Sequence, residues 1–169
     1  MTKTIVQFSI LLVILIISQV MVFNNICLFN YAVPFVFIYS ILRLPITLST
    51  NWVLTFSFIA GLCVDIFANT PGMNALACTL SAMSRRTILH LYFPSEDELS
   101  IPEPSIRSLG FDVYAKYLFT MVFLYCCYIF IIEACSFFDI LRLILRIVSS
   151  TILTFLLLLG LDSILSRHD

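Results

Sequence analysis

The stretch GLCVDIFANTPGMNAL, residues 61–76, sets one carboxylate, Asp65, inside a run that is otherwise apolar. A charge near the centre of a bilayer costs about 2.5 to 3.5 kcal/mol on insertion scales, so an aspartate in such a run implies a task. Two tasks fit. As a proton or ion relay, Asp65 would serve a path through the membrane. As a structural clasp, it would accept hydrogen bonds from the first-turn N–H groups of the helix that follows the NTPG turn, groups that lack intrahelical partners and carry the positive end of the helix dipole. The position of Asp65 near the end of its helix favours the clasp. Ser57, Gly61, Asp65 and Asn69 recur every four residues and so form one small, polar helix face. Asn74, Cys78, Ser81 and Arg85 form a second stripe on the next helix, and the two stripes can meet. Thr70 is placed to cap that helix, with Pro71 at its first position, where a missing N–H costs nothing.

A second constellation opens the last apolar run as DILRLILRIVSS, with Asp139, Arg142 and Arg146 on about one side. Arginines near a helix end can snorkel to lipid headgroups, pair with a carboxylate such as Glu133, or meet a partner protein, and the third use makes Asp139, Arg142 and Arg146 candidate partner contacts. Asp112 and Lys116 give a local i, i+4 pair. Tyr114, Tyr117, Tyr125 and Tyr128 read as packing or lipid contacts. The six cysteines contain no CxxC and read as small apolar residues, and the two histidines, His90 and His168, are too few to suggest a metal site, so no metal or cofactor is expected. No nucleophile stands beside a base and no glycine loop could cradle phosphate; the expectation is a protein that is not an enzyme.

These residues must be positioned by membrane helices. Of the 169 residues 61% are hydrophobic and 11% charged, with a mean hydropathy of +1.07, far from the balance of a soluble domain. A net charge of −1 gives no basic field for nucleic acid. A spanning helix needs about 20 apolar residues, and six runs qualify: 5–23, 26–44, 52–68, 72–92, 112–133 and 140–165. The fold class expected is an all-α integral membrane protein of six transmembrane helices in a single polytopic domain. Lys3 precedes the first run, but no small-residue cleavage pattern follows it, so the run reads as a retained helix. Seven of the nine Lys and Arg residues fall on one side if both termini are cytoplasmic, with Arg142 and Arg146 left opposite. Residues 93–111, FPSEDELSIPEPSIRSLGF, form an acidic, proline-broken loop on that cytoplasmic side. Trp52 starts the third run, where an interfacial anchor belongs.

The string GLCVDIFANTPGMNALACTL, 61–80, resembles the signature of the MreD family of rod-shape-determining membrane proteins, in which a glycine, an aspartate four residues on and a glycine turn open the next helix. The family positions fall on Gly61, Asp65, Gly72, Ala75 and Leu76. A short first helix carrying Gln19 and a second helix that begins near Pro34 and ends ILRLP, 41–45, are similar in layout. The Arg85-Arg86 pair and the long acidic loop depart from the pattern. The resemblance implies a non-catalytic scaffold of the bacterial cell-elongation complex in the cytoplasmic (inner) membrane. Its partners would be the single-span protein MreC, the glycosyltransferase RodA, a class B penicillin-binding transpeptidase and, indirectly, MreB. It also implies a fold similar to the S components of energy-coupling-factor transporters, which supplies the alternative function, binding of a small molecule for transport. An S component docks through an alanine-rich face on its first helix, and residues 1–31 contain no alanine.

Overall fold

A computed structural model of the chain describes residues 2–21, 33–46, 48–92, 104, 110–134 and 140–168. Those residues are helical without strands and form six helices: α1 (Thr2–Met21), α2 (Ile38–Leu42), α3 (Thr50–Ala68), α4 (Met73–Tyr92), α5 (Phe111–Glu133) and α6 (Ile140–His168). Among the described residues three segments are long and apolar enough to cross a membrane: α3, α5 and residues 140–164 of α6, with mean hydropathies of 1.6, 1.9 and 2.2. The fourth helix has the length but carries Asn74, Thr79, Ser81, Ser84, Arg85, Arg86 and His90 along its course. Most of loop 93–111 lies outside the described residues, as do Cys27, Cys135 and Asp139.

A continuous second helix over 26–44 is not what forms. Residues 26–32 are outside the described residues, 33–37 are irregular or turn, and within the described part of this run only the five residues of α2 are helical. Pro34 explains the break, because it has no N–H to give a helix and it pushes Val33 away from helical dihedrals. The backbone groups that the break releases are buried in apolar surroundings and need partners. Neighbouring helices supply them. Gln19 of α1 accepts from Val36 N and donates through Nε2 to Pro34 O, both at 2.8 Å. On the other side, Ser150 Oγ of α6 accepts from Val33 N at 3.0 Å and Thr154 Oγ1 accepts from Phe35 N at 3.1 Å.

Around this irregular stretch lies the core: Val36, Phe37, Ile38, Tyr39, Ile41 and Leu42 are fully buried, against Leu118, Met121, Val122 and Tyr125 of α5 and Leu158 of α6. Phe35 and Phe37 meet the Tyr125 ring edge-on at centroid distances of 5.2 and 5.9 Å, a favourable arrangement for aromatic quadrupoles. The outward faces are as apolar as the core. Phe58, Ile59, Leu62, Ile66 and Phe67 of α3 and Leu141, Ile144, Leu145, Val148, Ile152 and Leu156 of α6 are all exposed. Exposed apolar surface on this scale needs lipid or protein to cover it.

Candidate functional site

The α3–α4 junction is built around Asp65, which is 5% exposed. Asn69 ends α3 in the left-handed conformation at φ 54°, and Gly72 turns the chain at φ 74°. Leu76 N bonds Gly72 O at 3.0 Å, so Gly72 is the N-cap of α4 and Met73 its first residue. This corrects the expected cap at Thr70 and the expected helix start at Pro71. Glycine has no side chain to satisfy the amides at the second and third helical positions, and Asp65 does so from the preceding helix: Oδ1 accepts from Asn74 N at 3.0 Å and Oδ2 from Ala75 N at 2.9 Å. Thr70 is engaged elsewhere, its hydroxyl donating to Asp65 Oδ1 at 2.5 Å. Asn74 Nδ2 donates to the same oxygen at 2.9 Å, and Tyr125 OH of α5 donates to Asn74 Oδ1 at 2.8 Å. Both carboxylate oxygens are therefore occupied. Hydrogen bonds to a charged group are worth about 1.5 to 3 kcal/mol each, which makes this cap the strongest polar tie between the two helices.

Gly61 permits the approach that makes the cap possible. A Cβ built at Gly61 would lie 2.6 Å from Ala75 Cα and 2.6 Å from Asn74 O, inside the backbone of α4. Ser57 and Gly61 on α3 and Asn74, Ala75, Cys78, Ser81 and Arg85 on α4 are buried, whereas Asn69, Pro71, Gly72 and Leu76 are exposed. The two stripes thus face each other except at the turn itself.

At the other end of α4, Arg85 is buried at 4% exposure while its neighbour Arg86 faces outward. Arg85 Nε donates to Tyr117 OH at 3.2 Å, and Nη2 donates to Leu44 O and, at 3.5 Å, to Leu42 O. Leu42 is the last residue of α2 and Leu44 lies two residues beyond it, so the guanidinium sits just past the negative end of that short helix. Arg86 Nη1 donates to Thr50 Oγ1 at 3.2 Å.

A third polar group was not indicated by spacing. Asp162 of α6, fully buried, accepts from Tyr39 OH at 2.6 Å and lies 3.9 Å from Arg43 Nε. Arg43 also stands 5.7 Å from the Tyr39 ring centroid, and the buried hydroxyl of Tyr114 has no hydrogen-bond partner among the described residues. The available signal is the context LLLLGLDSIL, 156–165, which isolates a carboxylate in an apolar run as the context of Asp65 does.

On the DILRLILRIVSS face, Asp139 is outside the described residues, Arg142 is exposed, and Arg146 Nη1 pairs with Glu133 at 3.1 Å. The Arg146 guanidinium also lies over Phe130 at 5.0 Å. Tyr114, Tyr117 and Tyr125 are core residues, and Tyr128 meets Ser84 at 3.1 Å. Among the described residues Cys63, Cys78, Cys126 and Cys127 are free thiols, and no group of three or more His, Cys, Asp or Glu residues gathers to hold a metal. Comparison of the chain with protein-family models, with curated proteins and with solved structures finds no match.

Proposed function

We propose that the chain is a non-catalytic scaffold of the bacterial cell-elongation complex, related to MreD, with six membrane crossings and both termini cytoplasmic. In this reading it binds the transmembrane helix of MreC and, through MreC, is linked to RodA, a class B penicillin-binding transpeptidase and MreB. The observation that carries the proposal is the state of Asp65: its two oxygens are consumed by Thr70, Asn74 and Ala75, a use that fits helix assembly and leaves neither oxygen of Asp65 open for a relay. The resemblance over residues 61–80 supports the same assignment. Partner binding would use α6, the least covered of the three long apolar segments, with 22% of its apolar window buried against 33% for α3 and 44% for α5. Its stripe of Leu141, Ile144, Leu145, Val148 and Ile152 runs beside Arg142 and Arg146 and could receive one apolar helix.

Affinity purification from the native bacterium in mild detergent, with crosslinking and mass spectrometry, tests this. The expected catch is MreC with the elongation synthase, crosslinked to α6 and reduced in an Arg142→Ala/Arg146→Ala double variant. Undiminished MreC in that variant moves the contact to another face. A second reading, as a small-molecule-binding S component, draws on the buried Tyr39, Arg43, Tyr114 and Asp162 group, which provides convergent polar side chains. Recovery of a transporter module with paired ATPases would favour it over the scaffold.

A further inference from the structure

A groove of about 390 Å³ opens where α3 begins and α4 nears its end, lined on one wall by Arg85 and Arg86 and on others by Ser49, Thr50, Val53 and Leu89. Among the described residues that line it there are two arginines and no carboxylate. Buried charges are ordinarily paired with an opposite charge, as Arg43 is with Asp162. Arg85 is 4% exposed, yet among the described residues its partners are the hydroxyl of Tyr117 and the carbonyls of Leu42 and Leu44, all neutral. Those bonds use Nε and Nη2; Nη1, with two further donors, has no partner among the described residues. Arg86 adds a second guanidinium, held to the same wall by Thr50. The first turn of α3 also ends at the groove, and Ser49 at its N-cap makes no side-chain capping bond, which leaves N–H donors available.

We infer that this groove binds a phosphate-bearing anion between Arg85 and Arg86 at the beginning of α3. Guanidinium donors in a fork match phosphate oxygens, and a partly dehydrated site strengthens the match. The apolar part of the lining, Ile46, Leu48, Val53, Ala82 and Leu89, together with the exposed Trp52 on the first turn of α3, gives the site an amphipathic mouth. A phospholipid headgroup with its acyl chains toward the bilayer suits that mouth. The inference rests on the membrane reading of the chain and is independent of the scaffold assignment.

Trp52 is the single tryptophan and stands within two residues of the site, so its emission reports binding directly. Dioctanoyl phosphatidylglycerol, dioctanoyl phosphatidylcholine and inorganic phosphate are titrated separately against the full chain in a neutral maltoside detergent. The expected result is a saturable shift with phosphatidylglycerol that phosphatidylcholine reproduces only weakly. A shift with inorganic phosphate of equal affinity would assign the site to soluble phosphates, and a shift with phosphatidylglycerol but none with phosphate would assign it to lipid. Arg86→Gln removes one charge from an exposed position and should weaken binding about tenfold. Ser49→Glu puts a carboxylate at a helix N-terminus, where it supports the fold, and should abolish binding without lowering the melting temperature. The inference is overturned if neither anion shifts Trp52 emission, or if both variants bind like the wild-type chain.

Discussion

Asp65 serves the two amides that a side chain at the N-cap normally serves, but it does so from the helix before. This division lets Gly72 take the positive φ that the turn requires while a carboxylate still closes the helix end. Substitutions at Asp65 should therefore grade by how many of its bonds survive. Asn retains one acceptor oxygen for Thr70 and Asn74 but turns an amide toward Ala75 N, so Asp65→Asn should cost about 1 to 3 kcal/mol and keep the fold. Asp65→Leu strands every donor and should prevent the α3–α4 pair from assembling. Thermal melting in detergent separates the two; equal melting would remove the cap from any structural role. The carboxylate and its target amides were legible from the intrusion of Asp65 into an apolar run and from the turn after it. The identity of the N-cap was not, because Thr70 satisfies every sequence preference for a cap and is drawn off by a bond to Asp65 that spacing does not display.

Among the elements, α3 and α4 depend on contact between backbones and the segment at 33–37 depends on contact between backbone and side chain. In a lipid setting small residues let helices approach, and Gly61 is the glycine at which the neighbouring backbone comes close. Gly61→Ala should push the helices apart and cost at least about 1 to 3 kcal/mol, whereas Gly160→Ala, with nothing within 4 Å of the added methyl, should be neutral or stabilising by up to about 1 kcal/mol. Comparing the two melts isolates the packing effect from the general helix preference for alanine. The broken second helix makes a different demand. Thr154→Val keeps shape and removes the acceptor of Phe35 N; Gln19→Leu removes both of its bonds to the same segment. Each should destabilise by about 1 to 3 kcal/mol per stranded buried group, measured in the same melting assay. Five of the six expected runs correspond to helices here with ends shifted by up to three residues, because apolar length and Gly, Pro and Asn punctuation carry that information. The second run misled because hydropathy over 26–44 is blind to Pro34 and because two of the partners that rescue its backbone, Ser150 and Thr154, lie more than a hundred residues away.

For the molecule as a whole, polar side chains are spent on holding helices while apolar ones fill the core and coat the outside alike. Asp65, Arg85 and Asp162 each bind at least two elements together: α3 with α4, α4 with α2 and α5, α6 with α2. Under the membrane reading, leucine burial offers helices little preference for one another, so these three groups, with Gln19, Ser150 and Thr154, help to distinguish the native arrangement from other packings of the same helices. The amides of Val33 and Phe35 show what this means for a chain emerging from the ribosome. Their acceptors on Ser150 and Thr154 follow 117 and 119 residues later. At a synthesis rate of about 5 to 20 residues per second, the unwound segment waits on the order of ten seconds for them. Under the membrane reading, the early part of the protein holds the Val33 and Phe35 amides open in an apolar medium until the last helix arrives, and a nascent chain stalled before α6 would then be a natural client for an insertase or a membrane protease.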